Sequence, residues 1–515
     1  MAEMPFLRPG ETVWRLERAG RIKFLVDYEA YFDALRTALA LAQRSIHVLG
    51  WGFDPRTRLN PAAPSQPGAP DEIGHALVRL AREKPVLDVR VLVWRSALPI
   101  SASQAFFPHR AKAWFKGSPV KFLLDAATPL GACHHQKAVI IDDQLAFLGG
   151  GDIGPDRWDS AAHLDADPRR LGPGRKLHSP RHEVMVLAEG AVAEALGVLF
   201  RDRWTRARAG LTVDDPVPLA DRGVARWPPG LAADLAAASA GIGRTAPAWR
   251  AHRGADEIAR LTLETIGRAT RLIYLENQYF TWPAAIEALA ARLAEPKGPE
   301  VVAILSAKSP SYFDRLTMDC TRSLAIWRLM AADVFGRFHV FAPVTAGHRP
   351  IIVHAKAMIA DDRLVRISSA NLNNRSQGFD TEVELALEAT RPDEEAVIGA
   401  LRDRLAGHWI DRPGEEVRQA REGVSGLGQA LIQLDGGRRL RPLRPQRLGP
   451  IAEFIAAFHL GDPRDPRDSW RAWRRRRRLA EEARAVRAHL TEPDGSPPRA
   501  ADDPTRSAIA GRAAS

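Results

Sequence analysis

One pattern constrains this chain more than any other, because it occurs twice. His135-x-Lys137-x4-Asp142 recurs as His354-x-Lys356-x4-Asp361. A pair of small residues follows each copy at the same offset, Gly149-Gly150 in the first and Ser368-Ser369 in the second. With 15 His, 10 Lys and 35 Asp among 515 residues, chance supplies the pattern about 0.02 times. No other His-x-Lys triplet exists in the chain. So specific a spacing, kept in two copies, implies two structural units of one kind.

The flanking grammar repeats as well. Helical spacing at Tyr31, Phe32, Leu35, Leu39 and Ala42 predicts a helix, followed by a strand at 46–49 and the segment Trp51-Gly52-Phe53-Asp54. Pro, Ala, Gly and Ser mark 60–71 as a loop. A helix at 73–82 leads to a strand at 89–94, and a helix at 191–208 closes this half. In the second half, helices at 256–268, 283–294, 319–332 and 393–406 alternate with strands at 272–275, 301–305 and 383–387. Alternation of this kind predicts an α/β fold with largely parallel central strands. The chain then divides into a first half at 20–208, a connecting segment at 209–250 and a second half at 251–415. A basic extension follows at 416–490, and a Pro-, Asp-, Ser- and Ala-rich tail at 491–515 reads as disordered.

Each motif predicts a strand, a turn at Asp142-Asp143 or Asp361-Asp362, and a returning strand. Residues two apart on a strand project to one face, so each His and its Lys point into a common space. The turns at Gly149 and Ser368 are expected to leave backbone amides open to a ligand. Two such half-sites face to face supply two imidazoles and two ammonium groups. The ammonium groups stabilise a phosphoryl group and its pentavalent transition state. One histidine can attack phosphorus while the other protonates the leaving oxygen. The chain holds 63 Arg to 10 Lys, so lysine at both motif positions is not compositional habit. The lysines carry the charge, and neither a metal nor a cofactor is expected. Cys133 beside His134 and His135 raises a metal cluster, but no further ligands adjoin it.

The chain resembles the phospholipase D superfamily, whose HxKxxxxD repeat it carries twice over roughly residues 20–415. The run from Ile273 through Glu276 and Gln278 to Phe280, the block Gly52, Asp54, Arg56 and Leu59, and Arg157-Trp158-Asp159 are similar to the eukaryotic-type, phospholipid-cleaving branch. The resemblance implies a bilobed pseudo-dimer of two α-β-α sandwich halves with one shared active site, working through a covalent phosphohistidine. It implies His135 as nucleophile and His354 as general acid. Lys137, Lys356 and Asn371 would contact phosphate, and Asp142 and Asp361 would fix the hairpins. Glu183 and Glu382 sit where the family places the carboxylates that orient its histidines. Asp152 stands where many members have Asn, and Glu183 replaces the commoner Asp.

On this reading the leading function is hydrolysis of a glycerophospholipid to phosphatidic acid and a free alcohol. Phosphatidyl transfer, as in a cardiolipin synthase, uses the same intermediate, and the absence of membrane helices ahead of the core counts against it. A nuclease of the same superfamily fits the net charge of +11, but the Glu276–Phe280 segment counts against it. A silent lipid-binding scaffold is disfavoured by two intact motifs. The expected partner is a phospholipid at a membrane surface. Arg474 to Arg478, between Trp470 and Trp473, is either an anionic-lipid contact or a solvated helix face. Tyr279, Phe280 and Trp282 either line a lipid cleft or pack in the core. No secretory signal is visible at 1–14 and no apolar run reaches about 18 residues, so a cytoplasmic or peripheral monomer is expected. Two cysteines exclude a disulfide scaffold.

Overall fold

The computed structural model describes residues 4–63, 71–96, 107–173, 176–219, 225–250, 252–424, 426–465 and 471–491. Parts of the 60–71 loop, of the segment at 465–490 and nearly all of the 491–515 tail lie outside the described residues. One 16-stranded sheet runs through both halves. From its middle outwards, the first half contributes Arg15–Val26, Val184–Gly190, Leu145–Gly149, Ala138–Ile141, Ser45–Gly50, Asp88–Trp94 and Lys121–Asp125. The second contributes Leu235–Ala246, Glu382–Glu388, Leu364–Ser368, Lys356–Ala360, Leu272–Asn277, Glu300–Leu305 and Phe338–Pro343, with Leu440–Pro442 at its edge and Ala255–Asp256 pairing with Leu235–Ala246. Strand for strand, the two lists correspond about a pseudo-twofold axis.

The expectation of largely parallel central strands is corrected. Only the outer strands of each half are parallel, Ser45–Gly50 with Asp88–Trp94 and Lys121–Asp125, and Leu272–Asn277 with Glu300–Leu305 and Phe338–Pro343. Helical crossovers connect those. The motif hairpins and the sheet's middle are antiparallel, because tight turns can only reverse a strand.

The segment read as a mere connection also holds more than that. Leu235–Ala246 is a 12-residue strand pairing with Arg15–Val26 on one side and Glu382–Glu388 on the other. Its sequence, LAAASAGIGRTA, lacks the branched and aromatic residues that mark strands. Close packing explains the small residues: a Cβ on Gly241 would sit 2.7 Å from Val13 Cγ1.

Helices cover both faces, so inner strands such as Ser45–Gly50 and Leu272–Asn277 are buried throughout. On one face a single core crosses the halves, joining Leu196, Phe200 and Trp204 of helix Ala191–Ala207 to Ile398, Leu401 and Leu405 of helix Pro392–His408. On the other face each half has its own core, one around Tyr31, Phe32 and Leu77, the other around Leu289, Leu293 and Leu329.

Candidate active site

Both motif turns have two consecutive aspartates at positive φ, 55° and 51° at Asp142-Asp143 and 54° and 61° at Asp361-Asp362. Gln144 N donates to Ile141 O and Arg363 N to Ala360 O, closing two-residue hairpins of the kind that matches strand twist. The Asp142 carboxylate accepts from the backbone N–H groups of Gln43, Arg44 and Ser45 at 2.7–2.9 Å. Asp361 accepts from Thr270, Arg271 and Leu272 at 2.6–2.9 Å. Each aspartate thus ties its hairpin to the start of the neighbouring strand. Neither carboxylate faces the histidines.

The histidines stand just ahead of their strands, where the chain leaves the main sheet and pairs with the opposite half. Ile352–Val353 runs parallel to Arg181–His182, and His134 bridges Thr381. His354 N donates to His182 O at 2.9 Å, and His135 N donates to Thr381 O at 2.9 Å. The carboxylate following each acceptor then meets the opposite imidazole. His135 Nδ1 lies 2.9 Å from Glu382 Oε2, and His354 Nδ1 lies 2.7 Å from Glu183 Oε2. A carboxylate only accepts, so both imidazoles carry hydrogen on Nδ1 and leave Nε2 free as a nucleophile or base.

Lys137 Nζ donates to His135 O at 2.8 Å and lies 3.6 Å from Asp152 Oδ2. Lys356 Nζ donates to the His354 carbonyl and to Gln278 Oε1, the latter at 3.2 Å. The halves meet closely here: a Cβ on Gly150 would lie 2.8 Å from both Glu183 Oε1 and Lys356 Cδ. Burial, then Lys137 and Lys356, holds the His135 imidazole well below its usual range. Burial and Lys356 do the same to His354. Burial raises Glu183 to about 7 against the pull of Lys356, and Glu382 to about 7 against that of Lys137. Burial lowers Lys356 to about 7. Several buried groups are thus pushed toward their neutral forms at one point, a pattern concentrated at functional sites. An anionic phosphodiester would restore the lysine charge. Such a site can hold a phosphoryl group, deliver an imidazole to phosphorus and return a proton from the second imidazole.

Gly149 and Ser368 do not fill the positions expected of them. A Cβ on Gly149 would meet Met185 Sδ at 2.5 Å, so that glycine serves strand packing. Ser368 Oγ accepts from Ala370 N at 2.9 Å and braces the turn. The next residue in each pair faces the site: Gly150 as above, and Ser369, whose hydroxyl donates to Glu382 Oε2 at 2.5 Å. Ser376 Oγ donates to the other Glu382 oxygen at 2.7 Å. Sequence reasoning missed Ser369, Ser376, Gly150 and Gln278; aligning the two copies residue by residue places Ser369 opposite Gly150 and would have flagged both. Asn371 Oδ1 is buried with no hydrogen-bond partner, and Asn371 N donates to Ser376 Oγ at 3.1 Å.

Phe280 and Trp282 are fully buried in the second half's core and line no cleft. The Arg474 to Arg478 run is not one solvated face. On helix Ala472–Thr491, Arg475 is buried and donates to Phe458 O at 2.9 Å, while Arg477 pairs with Glu481 at 2.9 Å. Trp470 lies outside the described residues. Cys133 is buried, and its N–H donates to Asp380 Oδ1 at 2.7 Å. Among the described residues no helix is long and apolar enough to cross a membrane.

Fold and site together define a duplicated α/β scaffold that presents two His–Lys–Glu half-sites across a pseudo-twofold. Residues 262–409 match a family model described as cardiolipin synthase, PLD-like domain. Cardiolipin synthase A of Pseudomonas entomophila is 28% identical over 382 residues, covering 71% of this chain and 64% of that protein. The chain thus spans under two thirds of the relatives of that name. Phospholipase D1 of Saccharomyces cerevisiae is 24% identical over 455 residues, covering 71% of this chain and 26% of that protein. The crystal structure of a Haemophilus influenzae phosphatidylserine synthase superposes with a TM-score of 0.53 at 14% identity, over 81% of this chain and 94% of that one, and supports the fold. The family model and these relatives support membership of the phospholipase D superfamily.

Proposed function

We propose that this protein is a phosphatidyltransferase of the cardiolipin synthase type, moving a phosphatidyl group from one glycerophospholipid to the hydroxyl of another. The exchanged histidine–glutamate pairs carry the mechanism. Glu382 holds the Nδ1–H of His135, so Nε2 attacks phosphorus and a phosphohistidine forms as the P–O bond to the leaving alcohol breaks. The bound anionic phosphodiester favours a proton on His354 Nε2, which burial and Lys356 disfavour before substrate binds, and that proton goes to the departing oxygen. In the second step His354 takes the proton from the acceptor hydroxyl, whose oxygen displaces His135 from phosphorus. Lys137 and Lys356 balance the equatorial oxygens, and the side-chain N–H group of Asn371 is the donor assigned to the same phosphate. Asp142 and Asp361 hold the hairpins and take no part in bond making.

Assigning His135 as nucleophile draws support from Glu382, whose two oxygens receive hydroxyl hydrogen bonds from Ser369 and Ser376 and are thereby favoured as carboxylate. Transfer rather than hydrolysis draws support from the names of the relatives that match over most of the chain, and it reverses the order of preference the sequence suggested. Hydrolysis to phosphatidic acid is the same chemistry with water as acceptor.

The test is to supply phosphatidylglycerol vesicles, where it serves as donor and acceptor, and to measure cardiolipin, glycerol and phosphatidic acid. Cardiolipin with equimolar glycerol, absent with His135→Ala, is the expected result. Phosphatidic acid as the sole product would replace transfer by hydrolysis. Cleavage of plasmid DNA alone would overturn both.

A further inference from the structure

A second cluster of chemistry-bearing side chains lies at the junction of the halves, beside Glu183, which links strands Arg181–His182 and Val184–Gly190. Asp27 opens helix Asp27–Leu41, His163 and His182 belong to the first half, and His408 ends helix Pro392–His408 of the second. One donor atom from each of the four falls within 4.8 Å of all the others. Asp27 and His163 are 1% exposed and His182 is 0% exposed, while His408 is half-buried.

The hydrogen-bond network leaves this cluster with acceptors turned inward. His163 Nδ1 donates to Asp159 Oδ2 at 2.8 Å, so its Nε2 carries a lone pair. His182 Nε2 donates to Glu276 Oε2 at 2.8 Å, so its Nδ1 carries one too. Both carboxylates are held for this purpose. Asp159 also accepts from Arg181 N at 2.9 Å, and Glu276 from Tyr274 Oη and Trp409 Nε1 at 2.5 and 2.8 Å. Facing inward, His163 Nε2 lies 3.0 Å from His408 Nε2, and Asp27 Oδ2 lies 3.4 Å from His408 Nε2 and 3.7 Å from His163 Nε2. His182 Nδ1 lies 2.8 Å from Asp27 Oδ1, yet it and Asp27 Oδ2 are both buried without an aligned hydrogen-bond partner.

We infer that Asp27, His163, His182 and His408 form a structural zinc site. Tetrahedral zinc with bonds of about 2.0–2.1 Å has ligand–ligand edges of roughly 3.3 Å; the separations among Asp27, His163 and His408, 3.0–3.7 Å, bracket that value, and His182 falls within 4.8 Å of all three. Three imidazoles and one carboxylate suit Zn(II), and four protein ligands leave no open position for catalysis. Asp159 and Glu276 supply the outer carboxylates that orient metal-bound histidines. The ion would tie helix Pro392–His408 to the first half. It would also brace the catalytic strand, since Asp27 N donates to Glu183 O at 2.8 Å and His182 O receives His354 N.

The rival arrangement is a proton on His182. Burial opposes that charge, but Asp27 and Glu276 outweigh burial and raise the imidazole to about 10. A proton there still leaves the two facing Nε2 atoms of His163 and His408 to share one hydrogen.

The test uses the full-length protein, stripped with a chelator and then titrated with Co(II) or Zn(II) alone. Expected are about one ion retained per chain after desalting, a visible Co(II) spectrum of tetrahedral intensity, and a melting temperature several degrees above the stripped protein. Retention and spectrum should be lost in His163→Ala and in His408→Gln. A wild-type protein that retains no ion, or whose Co(II) spectrum is octahedral, would sink the site and leave the proton in its place. Equal retention by folded variants would do the same. The wild-type spectrum decides the matter even where a variant fails to fold.

Discussion

The two half-sites share a backbone and differ in what supports it. Around His135, the partner carboxylate Glu382 is gripped by two serine hydroxyls, and Lys137 lies 3.6 Å from Asp152. Around His354, the matching positions are occupied differently. Gly150 stands where Ser369 does and offers no hydroxyl to Glu183. Asn371 stands where Asp152 does, and Lys356 meets the amide of Gln278. Burial raises both glutamates to about 7, so the copies differ in support: Glu382 is held by two hydroxyls, whereas Glu183 has Lys356 beside it, itself lowered to about 7. Duplicated sequence has been spent on two jobs, a fixed nucleophile and a proton carrier whose charge can change during the cycle.

The sharpest way to break this comparison is to remove each imidazole in turn. His135→Ala should lower turnover by at least about 10³-fold and abolish the covalent intermediate with any substrate. His354→Ala should be as damaging with a lipid alcohol as leaving group. With a p-nitrophenyl phosphodiester, which needs no acid, it should still release a burst of nitrophenol and trap phosphohistidine by mass spectrometry. A burst from His135→Ala in its place would exchange the two roles.

A finer cut exchanges the supporting residues. Gly150→Ala pushes a methyl against Lys356 and Glu183 and should cost roughly 10–100-fold in kcat with the fold intact by circular dichroism. Ser369→Ala removes one hydrogen bond to Glu382 and should cost only about five- to tenfold. Equal losses would mean that the two supports are equivalent after all.

The pH profile sharpens the contrast further. Glu382 must be ionised to hold His135, and Lys137, Lys356, Ser369 and Ser376 favour that form against burial; with its pKa raised to about 7, kcat/KM should fall as pH drops below 7. Lys356 must be charged, and with its pKa lowered to about 7, kcat/KM should fall again above 7. A narrow bell near neutrality is expected, and bound phosphate should shift the alkaline limb of kcat upward. A flat profile between pH 5 and 9 (about two units either side) would remove Glu382 and Lys356 from these roles.

Stability separates the two halves by sign. The folded-state pKa of Lys356 lies below its ordinary 10.5, so burying its charge costs stability fully below pH 7, and that cost fades as pH rises toward 10.5. Lys356→Met should raise the melting temperature at pH 6–7 by about a few degrees and change little near pH 10. Lys137→Met strands Asp152 in the interior and should lower it, by about 3 kcal/mol in stability.

How much of this was legible in the sequence depended on the range of the interaction. The hairpins were legible because Asp-Asp turns between apolar strands are a local signal, and the resemblance to the phospholipase D superfamily pointed to Glu183 and Glu382. Their exchange between halves was not, since which histidine each reaches is set by the pairing of Arg181–His182 with Ile352–Val353, a contact across 171 residues for the His354–Glu183 pair. The strand Leu235–Ala246 was hidden by alanine and glycine chosen for packing against Val13. The cluster at Asp27 drew its histidines from segments with no common spacing, and no periodicity could have gathered them.

The exchange of carboxylates makes the two lobes reciprocal hostages. A lobe expressed alone would present an imidazole with no orienting partner, and its own glutamate would orient nothing. Either lobe is complete only as one of a twin pair, and the covalent link keeps together what the exchanged carboxylates already require to be adjacent.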